Sequence, residues 1–362
     1  MKAFPRTTCK QITYWVVFLI LVTACSGITT TAPAPPTKTA PLQTEPMLAP
    51  TQEDIQGLAV EEVATLRSLE KVADYPLYTM RYSGACHQPK TGLNRPSENN
   101  FACSLFASLS QRGNKLFGRN FDWEFSPALL LFTDPPDGYA SVSIIDIMYL
   151  GISSYDVMSL TDLPLNQRTA LLAAPSLPAD GMNEYGLAIA MAAVPESSAN
   201  GGGYDPAKPT IGSIGIIREI LDHARTVEEA VKHFEQYNIN FAGGTPIHYL
   251  VADSNGKAAL IELYEGELVV LPNDKPWHLA TNHLRCIAKG DGGCPRYHTL
   301  SEQLAAANGQ IGEQAAMQLL SQVAQSSTQW SAVYNMSSGD VSVVMGQAYS
   351  EVFHFHLDQV HP

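Results

Sequence analysis

The sequence predicts an α+β fold in which helices cover antiparallel sheets. Two observations support this class: the predicted strands follow one another in runs, and so do the predicted helices, whereas a parallel sheet would alternate them one by one. The chain has 362 residues, of which 45% are hydrophobic, enough to build a sizeable buried core. No internal repeat of solenoid length interrupts this pattern.

The predicted elements, taken in order, begin after a polar, proline-rich N-terminal stretch. Apolar residues at helical spacing predict helices, and short β-rich runs beside turn signals predict strands. The segment Ser254-Asn255-Gly256-Lys257 is a strong hairpin signal, and Thr226 with Glu229 forms a capping box. The predicted helices cover residues 52–72, 211–224, 226–237, 297–307 and 312–324, and the predicted strands cover 77–82, 103–109, 115–120, 249–253, 258–264, 330–336, 341–345 and 352–356.

The charge balance excludes one large class of function. The chain carries 35 acidic and 22 basic side chains, a formal charge of −13, which argues against a nucleic-acid binder because such proteins neutralise phosphates with Lys and Arg. Six cysteines are too few for a disulfide scaffold. We expect no cofactor and no metal, since neither a C-x-x-C pair nor a histidine pair at ligand spacing is present.

The N-terminus is typical of an export signal. Basic residues precede an apolar stretch of signal-peptide length, which ends in Val22-Thr23-Ala24-Cys25 and resembles a bacterial lipobox. We therefore predict a signal peptide over residues 1–24, lipidation of Cys25, and an extended Pro/Thr-rich tether over 25–51. An ordinary secretory signal is the alternative. The prediction is an exported lipoprotein anchored to a bacterial membrane and facing the periplasm or the exterior.

Three further cysteines have no clear catalytic signal. Cys286 and Cys294 enclose a short Gly-rich loop, so a disulfide between them is plausible in an exported protein, with two free thiols as the alternative. Cys86 remains unassigned.

Cys103 differs because it begins a strand at the end of a long polar loop. A turn near Gly113 would bring the second strand back beside the first, so that Arg119 and Asp122 arrive near the cysteine. A neighbouring cation lowers the pKa of a thiol, and a carboxylate can orient an amine or an imidazole. The alternative is a buried structural cysteine beside a surface Arg–Asp pair.

This region resembles the start of the choloylglycine hydrolase and penicillin V acylase group, whose members are N-terminal-nucleophile hydrolases of linear amides. Three later segments agree with that group in order and spacing: the DGMNEYGL stretch at 180–187, the ATN stretch at 280–282 and the PRY stretch at 295–297. The resemblance runs from Cys103 nearly to the end of the chain. It implies a four-layer αββα sandwich of two antiparallel sheets.

The resemblance also implies roles for single residues. Cys103 would be the nucleophile and its own α-amine the base, unmasked by self-cleavage of the preceding peptide bond. Arg119 would stabilise the thiolate, Asp122 would hold the α-amine, Asn282 would donate to the oxyanion, and Arg296 would complete the charge network. Residues 52–102 would then be a pro-segment or small subunit that stays bound, and residues 103–362 the catalytic domain.

The chain departs from the group at two points. Ala193 stands where the bile-salt enzymes carry an asparagine, so a backbone N–H would have to supply the second oxyanion donor. The nucleophile also follows about a hundred residues instead of the initiator methionine, a precursor layout like that of acid ceramidases and acylethanolamine amidases.

Other functions remain open at the level of sequence. A non-enzymatic, membrane-anchored solute-binding lipoprotein would explain the anchor and the acidity, and a Cys–His pair could use His278, His283 or His298. Substrates of the resembled group join an apolar acyl part to a small amine, so the resemblance implies a small N-acyl amide and an apolar pocket. The apolar residues between 125 and 149 could line that pocket, or they could equally be core.

Overall fold

Strands make up most of the fold. The computed structural model describes residues 55–85, 102–110, 114–194, 203–241 and 244–358. The strands are β1 Glu70–Ala73, β2 Leu77–Tyr82, β3 Ser104–Ser108, β4 Leu116–Asp122, β5 Ala128–Thr133, β6 Ser141–Asp146, β7 Asp180–Asn183, β8 Ala188–Ala193, β9 Thr210–Gly212, β10 Asn238–Asn240, β11 Ile247–Ala252, β12 Ala258–Tyr264, β13 Glu267–Pro272, β14 Trp277–Ala280, β15 Thr328–Asn335, β16 Asp340–Met345 and β17 Phe353–His356.

Five α-helices and a series of short 3-10 helices complete the described structure. The α-helices are α1 Val60–Arg67, α2 Gly215–His223, α3 Val227–Gln236, α4 Pro295–Ala306 and α5 Glu313–Gln322. The 3-10 helices lie between β6 and β7, at Ile147–Leu150, Asp156–Met158, Leu160–Asp162, Leu165–Gln167 and Thr169–Ser176.

The strands form two large sheets. The first has nine strands in the order β1-β2-β5-β6-β7-β8-β11-β12-β13, and the second has six in the order β14-β3-β4-β15-β16-β17. Every pairing in them is antiparallel except that of β2 with β5, and β9 pairs with β10 in a separate parallel ribbon. The predicted pair of antiparallel sheets is therefore confirmed with one parallel exception, the pairing of β2 with β5.

The main core lies between the two sheets. Strand alternation divides the residues of β11: Leu250 and Ala252 face the second sheet, whereas Tyr249 and Val251 face the outer helices. The inner cluster also contains Cys103, so the proposed nucleophile is built into the most buried layer of the protein.

Helices cover both outer faces. On the nine-stranded sheet, α1 and the 3-10 helices pack over β2, β5 and β6, and α2 with α3 packs over β8, β11 and β12. On the six-stranded sheet, α4 and α5 supply Leu300, Leu304 and Leu320 to a cluster with residues of β3, β4, β14, β15 and β16. This gives the four layers α, β, β and α that the resemblance implies.

Two predicted helices are partly wrong. The predicted helix over 52–72 is only α1 in the structure, and its C-terminal part is strand β1, because β1 pairs with β2 across the turn at Asp74-Tyr75-Pro76. The predicted helix over 211–224 begins later, since residues 210–212 pair with β10. Half of the predicted capping box of α3 is present: the Thr226 hydroxyl accepts a hydrogen bond from Glu229 N–H, whereas Glu229 Oε2 accepts the N–H of Arg225, the residue before the N-cap.

The apolar residues between 125 and 149 are core. Leu130 and Ile144 lie between the sheets, and Leu129, Leu131 and Ile145 lie beneath the 3-10 helices. The signal peptide, Cys25 and the tether all fall outside the described residues, as does Cys86. None of the helices in the described part of the chain has the length and apolar character that crossing a membrane requires.

Candidate active site

The hairpin of β3 and β4 brings Cys103 and Arg119 together. Leu105 lies opposite Arg119 and Ser104 opposite Asn120, so the second strand returns beside the cysteine as predicted. Arg119 Nη2 lies 3.7 Å from Cys103 Sγ. Both side chains are almost completely buried, Cys103 with 3% of its surface exposed.

The charge of Arg119 is balanced by Asp180. This residue begins the DGMNEYGL motif, and the sequence alone predicted no role for it. The two side chains form a buried ion pair, and Asp180 also accepts hydrogen bonds from the Tyr334 hydroxyl and from the indole N–H of Trp330 at 3.4 Å. Arg119 lies over the Phe121 and Trp330 rings, which stack on each other at 3.9 Å. The guanidinium is thereby fixed beside the thiol.

The thiol of Cys103 is not a preformed thiolate. Burial raises its pKa, and the nearby Asp122 raises it further, whereas the charges of Arg119 and Arg296 lower it by less. Proximity to a cation alone predicted a lowered pKa, but Arg119 already shares its charge with Asp180. Because a neutral thiol is a weaker nucleophile than a thiolate, substrate turnover calls for a base beside Cys103.

Asp122 supplies a carboxylate on the same side of the sandwich. Its Oδ1 accepts a hydrogen bond from the Thr328 hydroxyl, and its Oδ2 is buried 4.0 Å from Arg296 Nη1 with no hydrogen-bond partner in the described part of the chain. Burial raises the pKa of Asp122 to about 6, against the opposing effects of Thr328, Arg296 and Arg119.

Asn282 and Arg296 hold the backbone of the nucleophile. Asn282 Oδ1 accepts hydrogen bonds from Cys103 N–H at 2.6 Å and from Arg296 Nη2 at 3.0 Å. Arg296 also donates to the Cys103 carbonyl and, at 3.0 Å, to Ser104 Oγ. Arg296 thus contacts Cys103 from the first turn of α4.

The Asn282 amide nitrogen has a partner that the sequence did not predict. Nδ2 donates to the Ala193 carbonyl at 2.7 Å. Ala193 is the position where the side-chain amide of the resembled group is missing, and here its backbone oxygen fixes Asn282 instead. The five predicted catalytic residues, Cys103, Arg119, Asp122, Asn282 and Arg296, therefore form one cluster.

The three histidines considered for a Cys–His pair are engaged elsewhere. His278 hydrogen-bonds the Leu271 carbonyl at 2.9 Å, His283 hydrogen-bonds the Thr281 hydroxyl at 3.1 Å, and His298 lies on the surface between two acidic side chains. No sequence motif singles out His248, which is wholly buried below the Asn282 turn. Its buried partner Glu262 lies fourteen residues later on the adjacent strand.

Cys286 and Cys294 do not form the disulfide considered from the sequence; both thiols are free. The two thiols face different partners, which accounts for the absence of the predicted bond between them. The Cys286 backbone N–H donates to Glu262, and the pKa of its thiol is raised to about 12 by burial and by that carboxylate. Cys294 Sγ accepts a hydrogen bond from the Thr281 hydroxyl at 3.4 Å. Although burial opposes it, donors from His283, Thr281 and the backbone lower its pKa to about 6.

Comparisons with known proteins agree with this fold. A family model described as acyl-coenzyme A:6-aminopenicillanic acid acyl-transferase matches residues 174–349, which include Asn282 and Arg296. No curated protein matches the sequence.

Solved structures with the same architecture share little sequence identity with this chain. Two crystallised variants of the conjugated bile acid hydrolase of Clostridium perfringens match with TM-scores of 0.52 and 0.51 and identities of 17% and 16%, covering 71% and 70% of this chain and 92% of each of theirs. The penicillin V acylase of Agrobacterium tumefaciens has a TM-score of 0.49 at 17% identity, covering 71% of this chain and 87% of that one.

These findings confirm the resemblance predicted from the motifs and support the predicted class, a hydrolase acting on linear amides. The chain has the N-terminal-nucleophile hydrolase fold, which it shares with the conjugated bile acid hydrolase.

Proposed function

We propose that the protein is a cysteine amidohydrolase that cleaves the linear amide C–N bond of an N-acyl compound, and that it becomes active when its chain is cut before Cys103. The observation that carries the proposal is the arrangement around Cys103. Four polar side chains converge on this residue: Arg119 at the sulfur, Asn282 and Arg296 at the backbone, and Asp122 beside Arg296. A structural cysteine has no need of such surroundings.

The buried oxygen of Asp122 supports cleavage as the activating step. Oδ2 lacks a hydrogen-bond donor in the described chain, and burying an unpaired carboxylate oxygen is costly. Cleavage would release an α-amine at Cys103, which can be protonated and has an ordinary pKa of about 7.7–8.0. An α-ammonium is the cationic donor that Asp122 lacks in the uncut chain.

Self-cleavage would proceed by an N-to-S acyl shift. Cys103 Sγ attacks the Ala102 carbonyl carbon, the peptide C–N bond breaks, and the thiol proton moves to the departing nitrogen. Water then hydrolyses the thioester, leaving a carboxyl group on Ala102 and a free thiol and amine on Cys103. Arg296 and Asn282 would hold the Cys103 backbone while the bond breaks.

Substrate turnover would use the same atoms again. The α-amine accepts the thiol proton, the thiolate attacks the amide carbonyl, and the proton returns to the leaving nitrogen as the thioester forms. Water, activated by the α-amine, then releases the acid. An amide nitrogen carries two hydrogens, and the Ala193 carbonyl accepts only one of those on Asn282 Nδ2, so the other would donate to the oxyanion.

The segment before Cys103 would remain bound after cleavage. Strand β2 pairs with β5 along its whole length, from Leu77 opposite Ala128 to Tyr82 opposite Thr133. Leu66, Tyr78 and Met80 are fully buried in the outer core beneath the 3-10 helices. Loss of this segment would expose that core and remove an internal strand of the nine-stranded sheet. We further propose that lipid on Cys25 anchors this segment, and with it the enzyme, on the outer side of a bacterial membrane.

We propose an apolar acyl group as the part of the substrate that is recognised. Arg119, whose Nη2 lies 3.7 Å from the sulfur, also lies over the Phe121 and Trp330 rings, so two aromatic rings lie close to the nucleophile. The conjugated bile acid hydrolase of Clostridium perfringens, whose fold is similar, hydrolyses conjugated bile acids, as its name states.

One experiment tests the proposal. Wild type and Cys103→Ala would be incubated with a panel of fatty-acyl, bile-acyl and aryl-acyl amides, and the released amine would be measured. We expect release by wild type and none by Cys103→Ala. Binding of panel members without release by either protein would favour the alternative of a solute-binding lipoprotein.

A further inference from the structure

A wholly buried ion pair lies beneath the Asn282 turn. His248 on β11 and Glu262 on β12 both have no exposed surface, and their side chains meet at 3.1 Å between Nδ1 and Oε1. Tyr249 of β11 pairs with Ile261 of β12, and His248 and Glu262 are their neighbours along the two strands. His248 and Glu262 therefore lie opposite each other. Alternation places them on the inner face of the sheet, the face that carries Leu250 and Leu260.

The pair contacts both ends of the turn that carries Asn282. His248 Nε2 donates to the Thr281 carbonyl at 2.7 Å, immediately before Asn282. Glu262 accepts the backbone N–H of Arg285 on Oε1 at 2.7 Å and that of Cys286 on Oε2 at 2.8 Å. These three bonds connect the nine-stranded sheet to the segment that follows β14 in the six-stranded sheet.

The contacts also determine the protonation of the pair. A backbone carbonyl only accepts, so Nε2 of His248 carries a proton. Burial alone would raise the pKa of Glu262, but hydrogen bonds from His248 and from the two backbone N–H groups outweigh it and lower the pKa. Each oxygen of Glu262 accepts a backbone N–H, as a carboxylate does, and a carboxylate cannot donate, so Nδ1 of His248 faces it as the donor.

The other titratable groups around the pair do not change this charge balance. His278 on β14 hydrogen-bonds the Leu271 carbonyl, the Arg285 guanidinium points to the Gly290 carbonyl, and the thiol of Cys286 is neutral because its pKa is raised. His248 and Glu262 thus neutralise each other.

We propose that His248 and Glu262 are positioning residues for Asn282: as an imidazolium–carboxylate pair they fix the 281–286 turn, and through it they hold the Asn282 amide against Cys103. This inference rests on the proposed function, because it assigns a catalytic task to Asn282. A shift of the turn by about 1 Å would separate Asn282 from Cys103 N–H, and displacements of this size can cost about a hundredfold in rate.

The central test compares Glu262→Gln with Asp253→Asn. Asp253 is a matched control, since it is also wholly buried and also accepts several backbone N–H groups, but it serves the β11–β12 turn and α3. Glu262→Gln loses an acceptor for the turn. We expect it to lower kcat on a fatty-acyl aminocoumarin amide by about 10- to 100-fold with KM nearly unchanged, and to slow self-cleavage similarly. Asp253→Asn lowers the melting temperature only.

A second measurement does not depend on the fold of the Glu262 variant. In uncut Cys103→Ala protein at neutral pH, 15N NMR should show both ring nitrogens of His248 protonated. A neutral imidazole there would overturn the inference, as would a Glu262→Gln enzyme with the kcat and self-cleavage rate of Asp253→Asn. The proposed function fails separately, if Cys103→Ala still releases amine.

Discussion

Two thiols feel the charge of Arg296, and their environments are opposite. Cys103 is buried among aromatic side chains and the pKa of its thiol is raised. Cys294 is half-buried, accepts a hydrogen bond from Thr281, and its pKa is lowered to about 6. Thiolate character alone would choose Cys294 as the nucleophile.

The comparison shows what separates a nucleophile from a merely acidic thiol. Cys103 has an ion-paired arginine at its sulfur, a carboxylate nearby, and a backbone nitrogen already held by Asn282. Cys294 has donors that stabilise a thiolate, but it is the N-cap residue of α4, and no cleavage is proposed before it. In this account the base is made at Cys103 by cleavage, so a high thiol pKa is compatible with catalysis.

The largest expected effect comes from replacing each of the two cysteines, Cys103 and Cys294, by alanine in separate variants. Cys103→Ala should abolish self-cleavage and lower amide turnover on the order of 10⁶-fold, because the nucleophile and its base are the same residue. Cys294→Ala should cleave itself and turn over substrate much as wild type does. Released amine and the intact mass of each protein are the measurements. Full loss of activity in Cys294→Ala, with Cys103→Ala active, would invert the assignment.

Asp180 should be the next most sensitive position. Asp180→Asn leaves the buried Arg119 without its counter-charge, which should cost about 3–5 kcal/mol of unfolding free energy. The matched control is Asp222→Asn, which breaks another largely buried pair, with Arg218 at 2.6 Å, on the far side of the nine-stranded sheet. Urea denaturation should show both losses, but only Asp180→Asn should also lose turnover. Equal turnover in the two variants would contradict the role given to Arg119.

Asp122 should make the uncut protein less stable as the pH rises. Its pKa is about 6 in the folded chain against an ordinary 3.8, so between these values the unfolded chain has lost a proton that the folded chain keeps. Its stabilising contribution is present below pH 3.8 and lost as the pH rises through about 6, roughly 3 kcal/mol in all. Urea unfolding of Cys103→Ala with and without Asp122→Asn, from pH 4 to about 7, measures this. A stability difference that does not vary with pH would exclude it.

The last prediction concerns the rates at which two thiols, Cys294 and Cys286, are alkylated, and it has the smallest effect on function. Iodoacetamide near neutral pH should modify Cys294 well before Cys286, because the pKa of the first thiol is about 6 and that of the second about 12. Peptide mapping after timed quenching gives both rates. Faster labelling of Cys286 would show that the His283 and Thr281 donors do not stabilise a thiolate at Cys294.

Much of the fold and of the site could be predicted from local signals in the sequence. The hairpin that joins Cys103 to Arg119 depends on a turn and two short strands, and it was predicted because both are local. The role of Asp180 could not be predicted, since its partners Arg119 and Tyr334 come from other strands. His248 was missed for the same reason.

Errors also had physical causes. Residues 70–73 have helical spacing but pair with β2, because tertiary pairing outweighed a weak helical preference. The motif at 180–187 was recognised as a pattern, but its structural requirement appears only in three dimensions. Asn183 accepts the N–H groups of Tyr185 and Leu187, and Gly186 has φ +71° where a Cβ would collide with the Met336 carbonyl.

The central claim is that the α-amine of Cys103 becomes available by cleavage and serves its own sulfur. Intact-mass spectrometry of wild-type protein, on the same sample whose amide turnover is measured, tests it most directly. The account predicts two chains in the active sample, the larger beginning with an unmodified Cys103. An active sample in which the bond between Ala102 and Cys103 is intact would contradict it.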